Sequence, residues 1–192
     1  MAKVAAIIVR RFSVFATLAV MAILASCGSE PTGPVRDQRA PISNQVDVTV
    51  ERLVGDWVVR VSWPGHPKLF EYLDDPLYRP FSRLRIEETK VGIVLSGSKF
   101  VWWDDVGGYE KFSAELKTIG AGRFREIRSL TFRGAPLWVL WLDADNRTAA
   151  IGTPGGEFGW IMDRAPKGGA DRIGAAKQIM QWSGYDMARM KE

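Results

Sequence analysis

Few side chains in this 192-residue sequence are equipped for catalysis, and their spacing narrows the chemistry further. There is one cysteine, Cys27, and one histidine, His66. A single thiol excludes an internal disulfide and any cysteine-based zinc cluster, and a single imidazole excludes a multi-histidine metal site. His66 sits in the turn-like run Pro64-Gly65-His66-Pro67, with no evident serine partner for a nucleophile–base pair. The carboxylate pairs Asp74/Asp75 and Asp104/Asp105 are adjacent residues, which point opposite ways in a strand. Both pairs fall in turn-like sequence and read as solvated loop carboxylates. The residues therefore imply no catalytic group, no metal and no cofactor. The 26 Lys plus Arg face 22 Asp plus Glu, but Lys3, Arg10 and Arg11 stand in a leader without acids, which leaves 23 against 22. A nucleic-acid binder needs a cation surplus to neutralise phosphates, so that class is excluded.

What, then, is the thiol for? Cationic Met1–Arg11 precedes a 13-residue apolar run, Phe12–Leu24, and small residues follow. The run is short of the roughly 20 residues that cross a bilayer, and the pattern is that of a secretory signal over 1–26. Leu24-Ala25-Ser26-Cys27 resembles the lipobox of bacterial lipoproteins, in which diacylglycerol is attached to the cysteine and the chain is cut just before it. Residues 27–46 then read as a lipidated cysteine and a flexible tether, interrupted by Pro31, Pro34 and Pro41, which fully stretched would reach roughly 60 Å. Gly28 stands where many inner-membrane lipoproteins carry Asp, and the resemblance implies an outer-membrane anchor facing the periplasm.

From Gly55 to Arg164 short β-prone runs alternate with Gly-rich turns, at the roughly 10-residue spacing of a sandwich or barrel. Nine runs stand out, at 56–63, 81–88, 92–96, 99–103, 109–118, 124–133, 137–142, 147–153 and 157–164. Gly97-Ser98 and Gly107-Gly108 are among the apparent separators. The first run places Trp57, Val59, Val61 and Trp63 on one face by strict alternation. Leu137–Leu142 is apolar on both faces and needs a cover. Ala170–Trp182 supplies one, a helix with Ile173, Ala176, Ile179, Met180 and Ser183 on one stripe and Gly184 as its stop.

This order of features resembles the lipocalins, and specifically the bacterial lipocalins that are outer-membrane lipoproteins. The resemblance rests on Gly55-Asp56-Trp57, on Trp160-Ile161-Met162-Asp163-Arg164-Ala165-Pro166, and on the helix ending in Gly184-Tyr185-Asp186. It spans 47–187. It implies an all-β fold, an eight-stranded antiparallel up-and-down barrel over 47–192 with one C-terminal helix packed outside. In the family the first-motif Trp crosses the closed end and the last-motif Arg packs over it; here those are Trp57 and Arg164, with Gly55 as a structural residue. The family's middle motif is present only as Asp143-Ala144-Asp145-Asn146, with Asn146 at an aromatic position, which predicts a weaker anchoring of that turn. Pro64–Pro80 occupies the position of the family's lid loop.

With Trp57 and Trp160 held inward, parity predicts a cavity lined or floored by Val59, Val61, Trp63, Leu137, Val139, Trp141, Ala150, Phe158 and Trp160. An apolar lining suits an acyl chain or a flat apolar molecule. The expected function is a membrane-anchored, non-enzymatic carrier of a small hydrophobic ligand such as a fatty acid or lysophospholipid. The alternatives are an envelope enzyme acting on a lipid or pigment, and a solidly packed barrel that serves as an interaction lipoprotein.

Overall fold

Period-two alternation builds the sheet. In β2 (Arg83–Glu88) Leu84 and Ile86 are buried while Arg83, Arg85 and Glu87 are exposed. In β4 (Val106–Gly120) Phe112, Ala114 and Leu116 point the same way inward. A sheet with one apolar face must cover it, and here it does so by closing on itself. The computed structural model describes residues 33–63, 83–103, 106–128 and 131–192, with backbone only at 99–103 and 106–110. The remaining strands are β1 (Gly55–Trp63), β3 (Gly92–Trp103), β5 (Arg123–Glu126), β6 (Leu137–Leu142), β7 (Thr148–Gly152) and β8 (Gly159–Asp163). Each pairs antiparallel with the next, and β8 returns to β1 to close an eight-stranded barrel. The chain enters β1 at one end, the floor. The connections 127–136 and 153–158 lie at the other end, the mouth.

Eight strands replace the nine runs because the apparent separator Gly97-Ser98 lies inside β3 and joins two of them, while Gly107-Gly108 lies inside β4 and lengthens it. Gly97 pairs with Phe112 on one side and Leu84 on the other. A Cβ there would stand 2.6 Å from the Arg83 carbonyl oxygen, so glycine marks close backbone approach and not a turn. Gly107 and Gly108 pair with Trp102 and Val101 within the long β3–β4 ladder. The run 124–133 stops as a strand at Glu126, and its second half does something else, described below.

Bulges also overturn strict alternation. The β1–β8 register shifts between Val59 and Val61, and the β6–β7 register shifts between Val139 and Trp141. An extra residue reverses facing downstream. Val61, Trp63 and Trp141 accordingly leave the lumen and join a second apolar cluster on the outside of the barrel. Ala150 joins it as well, because Ala149 and Ile151 are the inward residues of β7.

That outer cluster is closed by α1 (Ala170–Trp182), which lies chiefly over β7 with β6 and β8 alongside. Ile173, Ala176 and Met180 are its buried residues. Gly184, at φ +86°, ends it: its amide donates to the Gln181 carbonyl at 2.9 Å and the Tyr185 amide to the Met180 carbonyl at 3.0 Å. Tyr185 then lies across the paired glycines Gly152 and Gly159, where a Cβ would meet its ring or hydroxyl within 2.6 Å. The hydroxyl accepts the Thr153 amide at 2.8 Å and donates to the Phe158 carbonyl at 3.0 Å. Burial pushes its pKa up to about 12.

The part of the expected tether from Gly33 to Val46 is not free. It forms almost no regular structure yet is tied down along its length, because its backbone and side chains find partners on the barrel. Val35 is fully buried, its amide donating to Gly156 O at 2.7 Å and its carbonyl accepting from Asp186 N at 2.9 Å. The buried Arg36 guanidinium donates to the carbonyls of Ser183, Pro154 and Ala40 at 2.9, 2.6 and 2.6 Å. Farther along, Gln45 Oε1 accepts the Leu142 amide at 2.7 Å, and Asn44 donates to the Ala121 carbonyl at 2.5 Å. The segment is a strap running from the mouth to the floor.

Candidate functional site

The floor comes first, because it fixes what the lumen rests on. Trp57 is buried, and its Nε1 donates to the Leu53 carbonyl at 2.7 Å. The Arg164 guanidinium lies 3.7 Å from the Trp57 ring centre and donates to the carbonyls of Asp56, Asn146 and Arg52 at 3.2, 3.2 and 3.4 Å. Gly55 makes room for it. At φ +113° its backbone suits glycine, and a Cβ would stand 2.8 Å from Arg164 Nη1. The turn after β6 is anchored after all. Asn146 takes a left-handed φ of 57°, which asparagine tolerates, and its Oδ1 accepts Arg52 Nε at 2.7 Å. A short amide in place of an aromatic thus ties the turn to the floor by hydrogen bonds.

A second polar knot fastens the start of α1 near the floor. The fully buried Asp163 accepts from the Thr148 hydroxyl, the Ala165 amide and Arg172 Nη2, the last at 3.1 Å. Burial on its own would raise the Asp163 pKa, but these donors outweigh it and hold the carboxyl below its ordinary value. Both knots are structural. Among the described residues no cluster of three His, Cys, Asp or Glu could hold a metal ion, and no helix is long and apolar enough to cross a membrane.

The described part of the lumen is apolar apart from the Glu126 carboxylate near the mouth. Above the floor lies a cavity of about 20 Å³, bounded by Leu53, Ile86, Met162 and their neighbours together with Leu137, Val139 and Trp160. That is room for about one water, without polar groups to hold it. Of the sequence-predicted lining, Val59, Leu137, Val139 and Trp160 are lumen residues, and Phe158 packs half-buried at the mouth. Val61, Trp63, Trp141 and Ala150 serve the helix face instead. Cys27, His66, the lid-like Pro64–Pro80 and both Asp pairs lie outside the described residues.

The residue that sequence reasoning misses is Phe132. It is 1% exposed and stands at the centre of three other rings: Phe112, Phe158 and Trp160 lie 6.5, 5.6 and 6.1 Å from it, centre to centre. Trp160 belongs both to this group and to the cavity wall. Phe132 arrives there because β5 ends early and the chain turns back. Arg133 and Gly134 have φ of 52° and 77°, and the Ala135 amide donates to the Phe132 carbonyl at 2.9 Å, the marks of a tight turn. Glu126 holds the turn. It is buried on the inward face of β5 and accepts the amides of Thr131, Phe132 and Gly134 at 2.9, 3.1 and 3.4 Å. Glu126 eight residues before Gly134 was the available sign that this run is a folded loop and not a strand.

In its described part the lumen is therefore a largely apolar calyx with an aromatic cluster around Phe132 toward the mouth. Eight-stranded barrels are just wide enough to be filled by side chains or to hold one small ligand. Residues 121–192 match the family described as the lipocalin-like domain. No curated protein matches the chain. Among solved structures, apocrustacyanin C1 is similar to it in fold, with a TM-score of 0.51 at 15% identity, over 79% of this chain and 87% of that one. Closed barrel, outer helix, Trp57–Arg164 floor and matched C-terminal segment agree, and the chain has a lipocalin-type fold whose C-terminal part matches the lipocalin-like domain.

Proposed function

We propose that this chain is a lipocalin that carries one small hydrophobic molecule, a fatty acid or lysophospholipid, in the bacterial envelope, and that Cys27 anchors it to the outer membrane on the periplasmic face. The observation that carries the ligand reading is the plug. The lumen beneath Phe132 is apolar, and the plug itself is one ring on a turn, contributed by no strand. A ligand that displaces this ring exchanges apolar contacts for apolar contacts, so the exchange is nearly balanced in water-exposed area. The left-handed Arg133 makes the closed turn less favourable by about 1 kcal/mol, which eases its withdrawal. An acyl chain fits this chemistry because it needs no directed polar partner.

A second reading stays open on a specific observation. Among the described residues the lumen cavity is about 20 Å³, far below the roughly 300 Å³ and upward of ligand sites, as a barrel packed solid would show. Mass spectrometry of apolar material released from protein extracted gently from membranes separates the two. A stoichiometric lipid supports carriage; none, from wild type and Phe132→Ala alike, supports the packed barrel. The anchor is tested by Cys27→Ser, which should release the protein from the membrane fraction or leave an unprocessed precursor. Membrane retention with normal cleavage would contradict it.

A further inference from the structure

We infer that the mouth of the barrel faces the bilayer, and that the bilayer surface is the partner from which ligand enters. The inference rests on the reading that Cys27 is the anchor, and it follows from where the strap begins.

The strap docks first at the mouth. Val35 and Arg36 are bonded to Gly156 and Pro154 in the β7–β8 connection, and Arg36 pairs with Tyr185 just beyond the end of α1. Arg189 donates to the carbonyls of Gly33 and Pro34 at 3.1 and 2.8 Å, so docking begins no later than Gly33. Only six peptide units then separate Cys27 from a fixed point on the mouth. At roughly 3.5 Å each they reach about 20 Å, where a free tether to residue 46 would have reached three times as far. The floor is a barrel-length away from that fixed point, and the short leash favours the mouth as the end nearest the lipid.

Both ends carry exposed aliphatic residues, Val54, Val91 and Ile119 at the floor among them, but among the described residues the exposed indole is at the mouth. Trp182, the last residue of α1, is 69% exposed, and Ile127, directly after Glu126, is 45% exposed. An indole at a lipid headgroup boundary is in its preferred surroundings. The connection 127–136 carries no acid; its Arg133 is exposed, and its exposed Arg128 pairs with Glu115 of β4 at 3.3 Å. A cation placed as Arg133 is favours anionic phospholipid. The Phe132 plug belongs to this same connection, so headgroup contact and plug withdrawal involve one loop.

The test is amide hydrogen exchange of the full mature chain on vesicles of phosphatidylethanolamine with one-quarter phosphatidylglycerol, against the same chain in detergent-free solution as Cys27→Ser. Segments 127–136 and 181–189 should gain protection on vesicles while the floor turn 143–147 does not. Trp182→Ser should reduce the gain. Inserting twenty Gly/Ser residues after Gly28 should largely remove it while leaving the protein on the vesicles. Equal protection of both ends, greater protection of 143–147, or indifference to the insertion would overturn the orientation. The mass of the N-terminal peptide reports acylation of Cys27 separately. Where that thiol is unmodified, the anchor reading fails, and coupling it to a maleimide-bearing lipid still tests the orientation with the same leash.

Discussion

The Glu126 carboxylate accepts the Phe132 amide at 3.1 Å and so holds an aromatic ring in the mouth of an apolar lumen. One residue ends a strand, and the other, six positions on, does the work of a lid. Glu126→Gln keeps the shape but weakens charge-assisted acceptors, each contributing about 1.5–3 kcal/mol when the acceptor is charged. The expected result is a loss of about 1–3 kcal/mol in urea unfolding, with faster amide exchange confined to 127–136. Uniform loss of protection over the whole barrel would contradict the local role.

At the floor, Trp57→Ala should cost about 3–5 kcal/mol, as truncation of a buried Trp does, and Arg164→Met should cost less. Because the guanidinium sits 3.7 Å from the ring centre, the two losses should be non-additive in a double-mutant cycle. Gly55→Ala should destabilise by about 1–3 kcal/mol through its left-handed backbone and its crowding of Arg164. Additive losses from Trp57 and Arg164 would show that the pair is not coupled.

Much of this was legible in the sequence, and the failures have physical causes. The Gly55, Trp57 and Arg164 motif could be read only through its resemblance to a known family's motifs, whereas the bounds of α1 depend on local chemistry: a 3.6-residue stripe and a glycine stop. The facing of Val61, Trp63 and Trp141 could not, because a bulge is a pairing event between strands and leaves no signature in strict alternation. The strap was illegible for a related reason. Prolines and glycines exclude helix, but they do not prevent Val35 from being buried or Arg36 from finding three carbonyls.

Arg172 should prove indispensable to the start of α1. Arg172→Met leaves the buried Asp163 without its cation, and breaking such a pair costs about 3–5 kcal/mol. The sign with pH follows from the depressed Asp163 pKa: its stabilisation is present above the ordinary carboxyl value and is lost as pH falls through the lower, folded one. Urea midpoints measured from pH 7 down to 3 should show the gap between wild type and the variant narrowing as the pH falls, because the variant has less Asp163-linked stability to lose. Coincident profiles would contradict this role.

Alkali should act through Tyr185. With its pKa near 12 in the folded protein and about 10 unfolded, its contribution is complete below pH 10 and is lost as pH rises toward 12, by about 2–3 kcal/mol in all. Tyr185→Phe removes this one titration. The difference in stability between wild type and the variant should therefore shift over that window, as read by chemical denaturation at fixed ionic strength; a constant difference would refute it.

The central claim is that ligand replaces the Phe132 ring over an apolar floor, and the most direct measurement is a titration of delipidated protein with lysophospholipid followed by tryptophan emission. Trp57 and Trp160 face the lumen and should report the ligand. Wild type should bind saturably at micromolar concentrations, and Phe132→Ala should bind more tightly despite a stability loss of about 3–5 kcal/mol. Val139→Glu buries an unpaired carboxylate in the lining and should abolish binding or leave the protein partly unfolded, whereas Val58→Glu, on the opposite face of β1, should change little. Saturable binding that tightens on removing the Phe132 ring is the result this account predicts. No saturable binding by wild type or by Phe132→Ala, with the two Glu variants behaving alike, would contradict it.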